Sequence, residues 1–160
     1  MTVSAGGARV ELPLVVKVYD VTIPDEIFFN PVAYLNVNLD GTTRRQGVEI
    51  SFLKDFVWAS LEGSYAYTDG EILDGQFDGS DIPGVPEHQA SISTMVPVAY
   101  GLSVGIEGIY VGERPFISDF ANELGDQDDY LVVNAKLKYT RQNLAAYLNI
   151  YNLLDEEYSQ

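Results

Sequence analysis

Residues 47–68, GVEISFLKDFVWASLEGSYAYT, read as a long β-hairpin with its turn at Lys54-Asp55. Successive side chains of a strand point to opposite sides, so parity sorts the stretch into two faces. Val48, Ile50, Phe52, Val57, Ala59, Leu61, Gly63, Tyr65 and Tyr67 fall on one; Glu49, Ser51, Ser60, Glu62, Ser64 and Thr68 fall on the other. One face is apolar and the other small and polar. About nine residues at ~3.3 Å each, tilted ~40°, rise roughly 23 Å, close to the apolar band of a membrane β-barrel. A soluble β-sandwich buries one face of each strand in the same way, so alternation alone leaves both folds open.

The pattern recurs along the chain. From Arg9, the residues Val10, Leu12, Leu14, Val16 and Val18 alternate with Arg9, Glu11, Val15, Lys17 and Tyr19. Pro13 removes one ladder donor, which favours an edge or a bulge, and Asp20 fits the apolar face only where the strand has left the hydrocarbon. Residues 24–43, with Pro24, Pro31 and the run LNVNLDGTT, predict a long irregular connection. Later strands place Ala90, Ile92, Thr94, Val96 and Val98, then Leu102, Val104, Ile106, Gly108 and Tyr110, then Leu131, Val133, Ala135, Leu137 and Tyr139, then Leu144, Ala146, Leu148 and Ile150 on the apolar face. The opposite face carries Glu49, Glu62, Glu107, Lys136 and Lys138.

Loop lengths favour the membrane. Short turns at 54–55, 99–101 and 140–143 alternate with long acidic loops at 69–87 and 113–129, the asymmetry of outer-membrane barrels with short periplasmic turns and long extracellular loops. Tyr65, Tyr67 and Tyr110 lie at the long-loop ends and Phe52 and Tyr139 at the short-turn ends, which predicts two aromatic girdles; Trp58 falls by parity on the polar face and misses them. The predicted fold is all-β: antiparallel up-and-down transmembrane strands, about seven, forming part of a barrel.

Composition excludes more than it selects. A formal charge of −15 leaves no basic footprint for nucleic acid. Without cysteine, neither a disulfide framework nor thiolate metal ligation is available. No apolar run is long enough for a transmembrane helix, which says nothing against β-spans. No secretory signal is legible after Met1, as expected if one was removed or if the chain is a piece.

Several ordered segments carry a family likeness: DEIFFNP at 25–31, TRRQGVE at 43–49, WASLEGSYAYTD at 58–69, IPGVPEHQ at 82–89, YVGERP at 110–115 and NIYNLLDEEYS at 149–159. In this order and spacing the chain resembles the C-terminal part of the barrel of TonB-dependent outer-membrane receptors. The resemblance implies a barrel of about 22 strands around an N-terminal plug, in the cell outer membrane, importing iron-siderophore complexes, cobalamin or another scarce nutrient. The implied partners are outer-membrane lipid, the plug and remaining strands, a small nutrient ligand, and TonB acting only through the plug; the implied activity is transport, with no enzymatic step and no cofactor. The expected layout is a lead-in at 1–8, barrel strands and loops at 9–152, and the start of the last extracellular loop at 153–160. The chain is thus expected to be a fragment with open edges, lacking the plug, the TonB-contacting segment and the final strand. A small autonomous barrel serving as anchor or adhesin, and a soluble sandwich binding sugar or calcium, remain as alternatives.

No residue is assigned to catalysis, metal, cofactor or substrate. Asp74–Gly79 is faintly similar to a calcium loop, but Val85 stands where the bidentate Glu belongs. His88 is the single histidine and has no catalytic partner at informative spacing. Asp128-Asp129 and Asp155-Glu156-Glu157 read as solvated acids, and Arg44-Arg45 as partners of nearby carboxylates. Phe77, Phe116 and Phe120 either touch a ligand or pack the long loops together.

Overall fold

A computed structural model describes the backbone of residues 2–5, 8–11, 13–30 and 34–158, and the side chains of 13–30 and 34–158. The elements in order are β1 (Thr2–Ala5), β2 (Ala8–Glu11), β3 (Leu14–Pro24), β4 (Ile27–Asn30), β5 (Leu35–Asn38), β6 (Thr42–Asp55), β7 (Ser60–Ile72), β8 (His88–Ala99), β9 (Leu102–Val111), β10 (Arg114–Pro115), β11 (Asp126–Gln127), β12 (Tyr130–Arg141) and β13 (Leu144–Ile150). Seven of them form one antiparallel sheet in the order β13-β12-β9-β8-β7-β6-β3, and the other six pair as three small hairpins. Each strand of the large sheet lies beside its neighbour in the chain, the up-and-down pattern expected from the sequence.

The register reproduces the predicted faces. Val18 stands opposite Val48, Val48 opposite Tyr67, Ile50 opposite Tyr65, and Phe52 opposite Gly63. Farther along, Ile92 stands opposite Gly108 and Gly108 opposite Val133. Among the described residues no second layer covers this face: Val18 is 81% exposed, Ile92 56% and Ile106 53%. Burying one such side chain is worth ~1.5–3 kcal/mol, so a sandwich would have covered them. The uncovered apolar face rules out the sandwich reading and marks a surface made for lipid.

The structure corrects several local expectations. The first turn lies at 56–59, closed by the Phe56 N–H donating to the Ala59 carbonyl at 2.7 Å. Lys54 and Asp55 belong to β6, and Lys54 sits on the apolar face opposite Leu61, one step from the turn, where its long stem can carry the ammonium to the membrane edge. Trp58, Val57 and Ala59 belong to the turn and to no strand face; Trp58, which parity puts on the polar face, stacks instead on Phe56 at 5.3 Å and gives the short-turn end an aromatic pair. Phe52 lies over Gly63, where a Cβ would come within 2.5 Å of its ring. The barrel strand expected from Arg9 begins at Leu14, and residues 8–11 pair instead with 2–5, part of the expected lead-in. The expected facing of Val10 and Leu12 lies outside the described side chains. β3 is an edge strand with Pro13 just outside it. The connection at 24–43 contains the β4–β5 hairpin.

The other two short turns match expectation. At 100–101, Tyr100 and Gly101 take φ of 53° and 86°, as a two-residue hairpin turn requires. A Cβ on Gly101 would also stand 2.0 Å from the Thr140 carbonyl oxygen, so only glycine fits. Just before it, the register shifts between Pro97 and Ala99, a bulge that spares the sheet a donor proline cannot supply. Gln142, at φ 50°, turns the chain into β13.

Candidate functional site: polar wall and loop cap

Two features of the described residues gather polar and loop-borne side chains: the polar face of the sheet and the cluster of long loops at its end. On the polar face, Lys17 donates to Glu49 at 3.3 Å. Gly47 lets the Tyr19 ring cross β6 so that its hydroxyl meets Thr68 Oγ1 at 2.6 Å; a Cβ there would stand 2.2 Å from the Tyr67 carbonyl oxygen and 2.6 Å from the Tyr19 hydroxyl. Farther along, Asn134 Nδ2 donates to Glu107 Oε2 at 3.0 Å, and Asn134 Oδ1 accepts the Asn152 N–H at 3.0 Å. Asn152 Oδ1 in turn accepts the Glu156 N–H at 3.0 Å, and Tyr158 stacks on Tyr130 at 4.5 Å. The NLLDEEY segment is thereby tied to the wall through Asn134. A groove of about 280 Å³ on this face is lined by Glu62, Ser93, Met95, Glu107, Asn134 and Lys136 among others.

Strand alternation sends the adjacent arginines opposite ways. Arg44, on the apolar side, donates from Nε to Asp20 Oδ1 at 2.9 Å and from a terminal nitrogen to Oδ2 at 2.6 Å; Gln46 Nε2 also donates to Asp20 at 3.1 Å. Gln46 stands opposite Asp69, one step beyond the Val48–Tyr67 pair. Asp20 therefore breaks the apolar face only past the tyrosines, and with two donors around it. Arg45, on the polar side, grips both oxygens of Glu26 at 2.8 and 3.0 Å, and Thr43 Oγ1 donates to the same carboxylate. Burial alone would raise the Glu26 carboxyl, but the Arg45 guanidinium and Thr43 hydroxyl outweigh it and hold it below the ordinary glutamate value. A depressed folded-state value means that this clasp is intact at neutral pH and lost only as pH falls through it.

The loop cap has its own core. Leu39, Ile72 and Ile82 are buried, with Phe28, Phe77, Val85 and Phe120 packed against them. Phe77 and Phe120 are thus packing residues, while Phe116 remains 40% exposed. Ile72 belongs to the polar-side series of β7, so the cap folds over the polar side of the wall. Asp119 accepts from the Glu123 and Leu124 N–H groups at 3.1 and 2.9 Å and closes a turn in the third loop. Asp74, from the calcium-like stretch, spends both oxygens on Thr42, accepting its N–H at 2.6 Å and its hydroxyl at 3.1 Å. Among the described residues, no group of three or more His, Cys, Asp or Glu is arranged to hold a metal. Stripping divalent metal is accordingly expected to leave the far-ultraviolet β-signal unchanged, and a large loss on chelation would contradict this. His88, the first residue of β8, meets the Tyr65 hydroxyl through Nδ1 at 2.9 Å and lies against the Tyr67 ring at 5.3 Å. Asp128, Asp129, Asp155 and Glu157 are exposed, and Glu156 is half-buried.

A single sheet, apolar on one face and polar on the other, with short turns at one end and packed loops at the other, is a piece of the wall of a transmembrane β-barrel. Residues 8–153 match the TonB dependent receptor-like, beta-barrel family, and the chain belongs to that family. Its place is the outer membrane. The catecholate siderophore receptor Fiu of Escherichia coli (strain K12) is 32% identical over 125 residues, which cover 74% of this chain and 16% of Fiu. The siderophore receptor PiuA from Acinetobacter baumannii superposes with a TM-score of 0.73 at 21% identity, covering 92% of this chain and 22% of PiuA. The copper transporter OprC gives a TM-score of 0.71 at 17% identity over 93% of this chain and 24% of its own. At those identities the two structures speak for the fold alone.

Proposed function

We propose that this chain is wall and extracellular cap of a receptor that imports an iron-siderophore complex, with a plug in the lumen and TonB acting through that plug. The observation that carries the proposal is the 32% identity to a catecholate siderophore receptor over 125 residues. In this reading the wall supplies a polar lumen surface, the cap supplies the approach to it, and no residue performs covalent chemistry. The expected layout of lead-in, barrel segment and start of a last loop is part of the same proposal. So is transport as the sole activity.

Growth under iron limitation tests it. In cells lacking their own siderophore receptors, the full reading frame containing this chain is expected to restore growth on ferric catecholates, and deletion of TonB is expected to abolish it. Expressed as the 160 residues alone, the chain is expected to restore nothing, because β3 and β13 leave two unpaired edges. TonB-independent growth, or rescue by the 160 residues alone, would overturn the proposal; uptake only of copper or cobalamin would overturn its cargo.

A further inference from the structure

Three segments distant in sequence send one phenylalanine each to the same place. Phe120, from the loop between β9 and β12, meets Phe28 of the β4–β5 hairpin edge-on, with centroids 5.2 Å apart at 86°. The same ring lies along Phe77, from the loop between β7 and β8, at 5.4 Å and 30°. Together they close over Leu39, Ile72 and Ile82. Hydrogen bonds cross the same boundaries. Ser118 Oγ donates to the Phe29 carbonyl at 2.9 Å, joining the third segment to the first. The Asp81 N–H donates to Asn122 Oδ1 at 2.7 Å, Asn122 Nδ2 donates back to the Asp81 carbonyl at 3.3 Å, and the Gly84 N–H reaches the Pro115 carbonyl at 3.0 Å, joining second and third. Asp74 clasps Thr42, the first residue of β6, and so fixes the second segment at the point where the first enters the wall.

Among the described residues, none of these loops holds a buried apolar core alone. Leu39 comes from the first, Ile82 from the second, and Ile72 from the end of β7, so the cluster exists only when the segments are together. A segment whose burial depends on a neighbour opens when the neighbour opens. We infer that the three extracellular loops form one cooperative cap, with Phe120 as its joint, so that displacing any one of them releases the other two. A ligand engaging one loop is then felt by all three, whichever nutrient the receptor carries.

Hydrogen exchange on the native protein in detergent micelles tests it without any transport assay. Phe120→Ala is expected to speed exchange at least tenfold in three places together: at 25–41, where the Leu39 N–H is held by the Glu26 carbonyl; at 73–87, where the Gly84 N–H is held; and at 113–129. Phe116→Ala, at a partly exposed ring in the same loop, is expected to leave the first two unchanged. Adding Phe77→Ala to Phe120→Ala is expected to add little, since one broken joint already frees the cap. Exchange within β8 and β9 serves as the fold control. If Phe120→Ala perturbs those strands, Phe120→Leu replaces it, with the same three-place pattern expected at smaller size. Faster exchange confined to 113–129, in whichever variant keeps the wall intact, would overturn the inference, as would equal effects of Phe116→Ala and Phe120→Ala.

Discussion

Replacing Ile106 by arginine is expected to lower the stability of the folded barrel by roughly 2 to 4 kcal/mol, the penalty for a cation on a lipid-facing strand near the bilayer midplane. Ile106 is suited to the test because it lies in the middle of β9 and is 53% exposed on the apolar face, with nothing but lipid to cover it. The control is Ser93, on the polar face, which the register sets between Glu62 and Glu107. Arginine there gains two acidic neighbours and a wet lumen, so its cost is expected to stay below about 1 kcal/mol. A protein core would also reject arginine at Ile106, and depth separates that case from a bilayer. Tyr110 lies on the same face of the same strand toward the long loops, and arginine there is expected to cost only about 0 to 1 kcal/mol, since the penalty fades toward the interface. The measurement is reversible unfolding of the native protein in lipid vesicles, and equal penalties at Ile106 and Tyr110 would mean that no membrane reads this face. Asn134 and Glu107 would make poor controls, because they bond to each other and Asn134 also holds Asn152. Leu61 sits one residue inside the turn end of β7, too near the edge to report the centre.

What the sequence exposed and what it hid divide along physical lines. Parity is local, so it sorted the two faces wherever the ladder is regular, from Val48 and Tyr67 to Leu137 and Leu148, and failed at Val57 and Ala59, which lie in the turn, and at Val98, which lies in the bulge. Turn position depends on turn residues, and the first turn has none of the usual ones: Phe56, Val57 and Trp58 look like strand, while Lys54-Asp55 looks like a turn. The exclusion of Trp58 from the girdles followed from that displacement. The β4–β5 hairpin was hidden because Pro24, Pro31 and the asparagines around it signal irregularity. The loop core was invisible for a different reason. Phe28, Phe77 and Phe120 are scattered over more than half the chain, and no period or motif links them; only folding brings them within 5.4 Å. Choosing between ligand contact and mutual packing for Phe77 and Phe120 required those distances. The partners of Arg44 and Arg45 were legible as a type, nearby acids, but not as Asp20 on one face and Glu26 on the other.

The loop core yields the other large effect. Ile82 is 1% exposed, within the cluster formed with Leu39 and Ile72. Truncating a buried isoleucine to alanine removes transfer energy and leaves a cavity, together ~2–5 kcal/mol. Where that energy is lost is decided by the architecture. Ile82 lies in the loop after β7 and meets the sheet at its loop end, at Gly70 and Ile72, on the polar side, so the ladder below that end and the lipid face are retained. Ile82→Ala is therefore expected to raise the open population of the loops, by roughly thirtyfold or more at ~2 kcal/mol, with no change in the barrel's own unfolding. Limited proteolysis of the native protein in outer membranes reads this directly, because cleavage tracks the open population when opening and closing are fast. Cuts are expected at 25–41, 73–87 and 113–129, with the strands between them protected. Leu73, the next residue past β7 and 37% exposed, supplies the comparison: Leu73→Ala removes a similar number of atoms from a site already in contact with water, and the cleavage rate is expected to change by less than about threefold, within the ~0.5 kcal/mol typical of surface substitutions. Equal cleavage of the two variants would mean that the cap has no core of its own, while lowered stability of the wall in Ile82→Ala would mean that cap and barrel unfold as one.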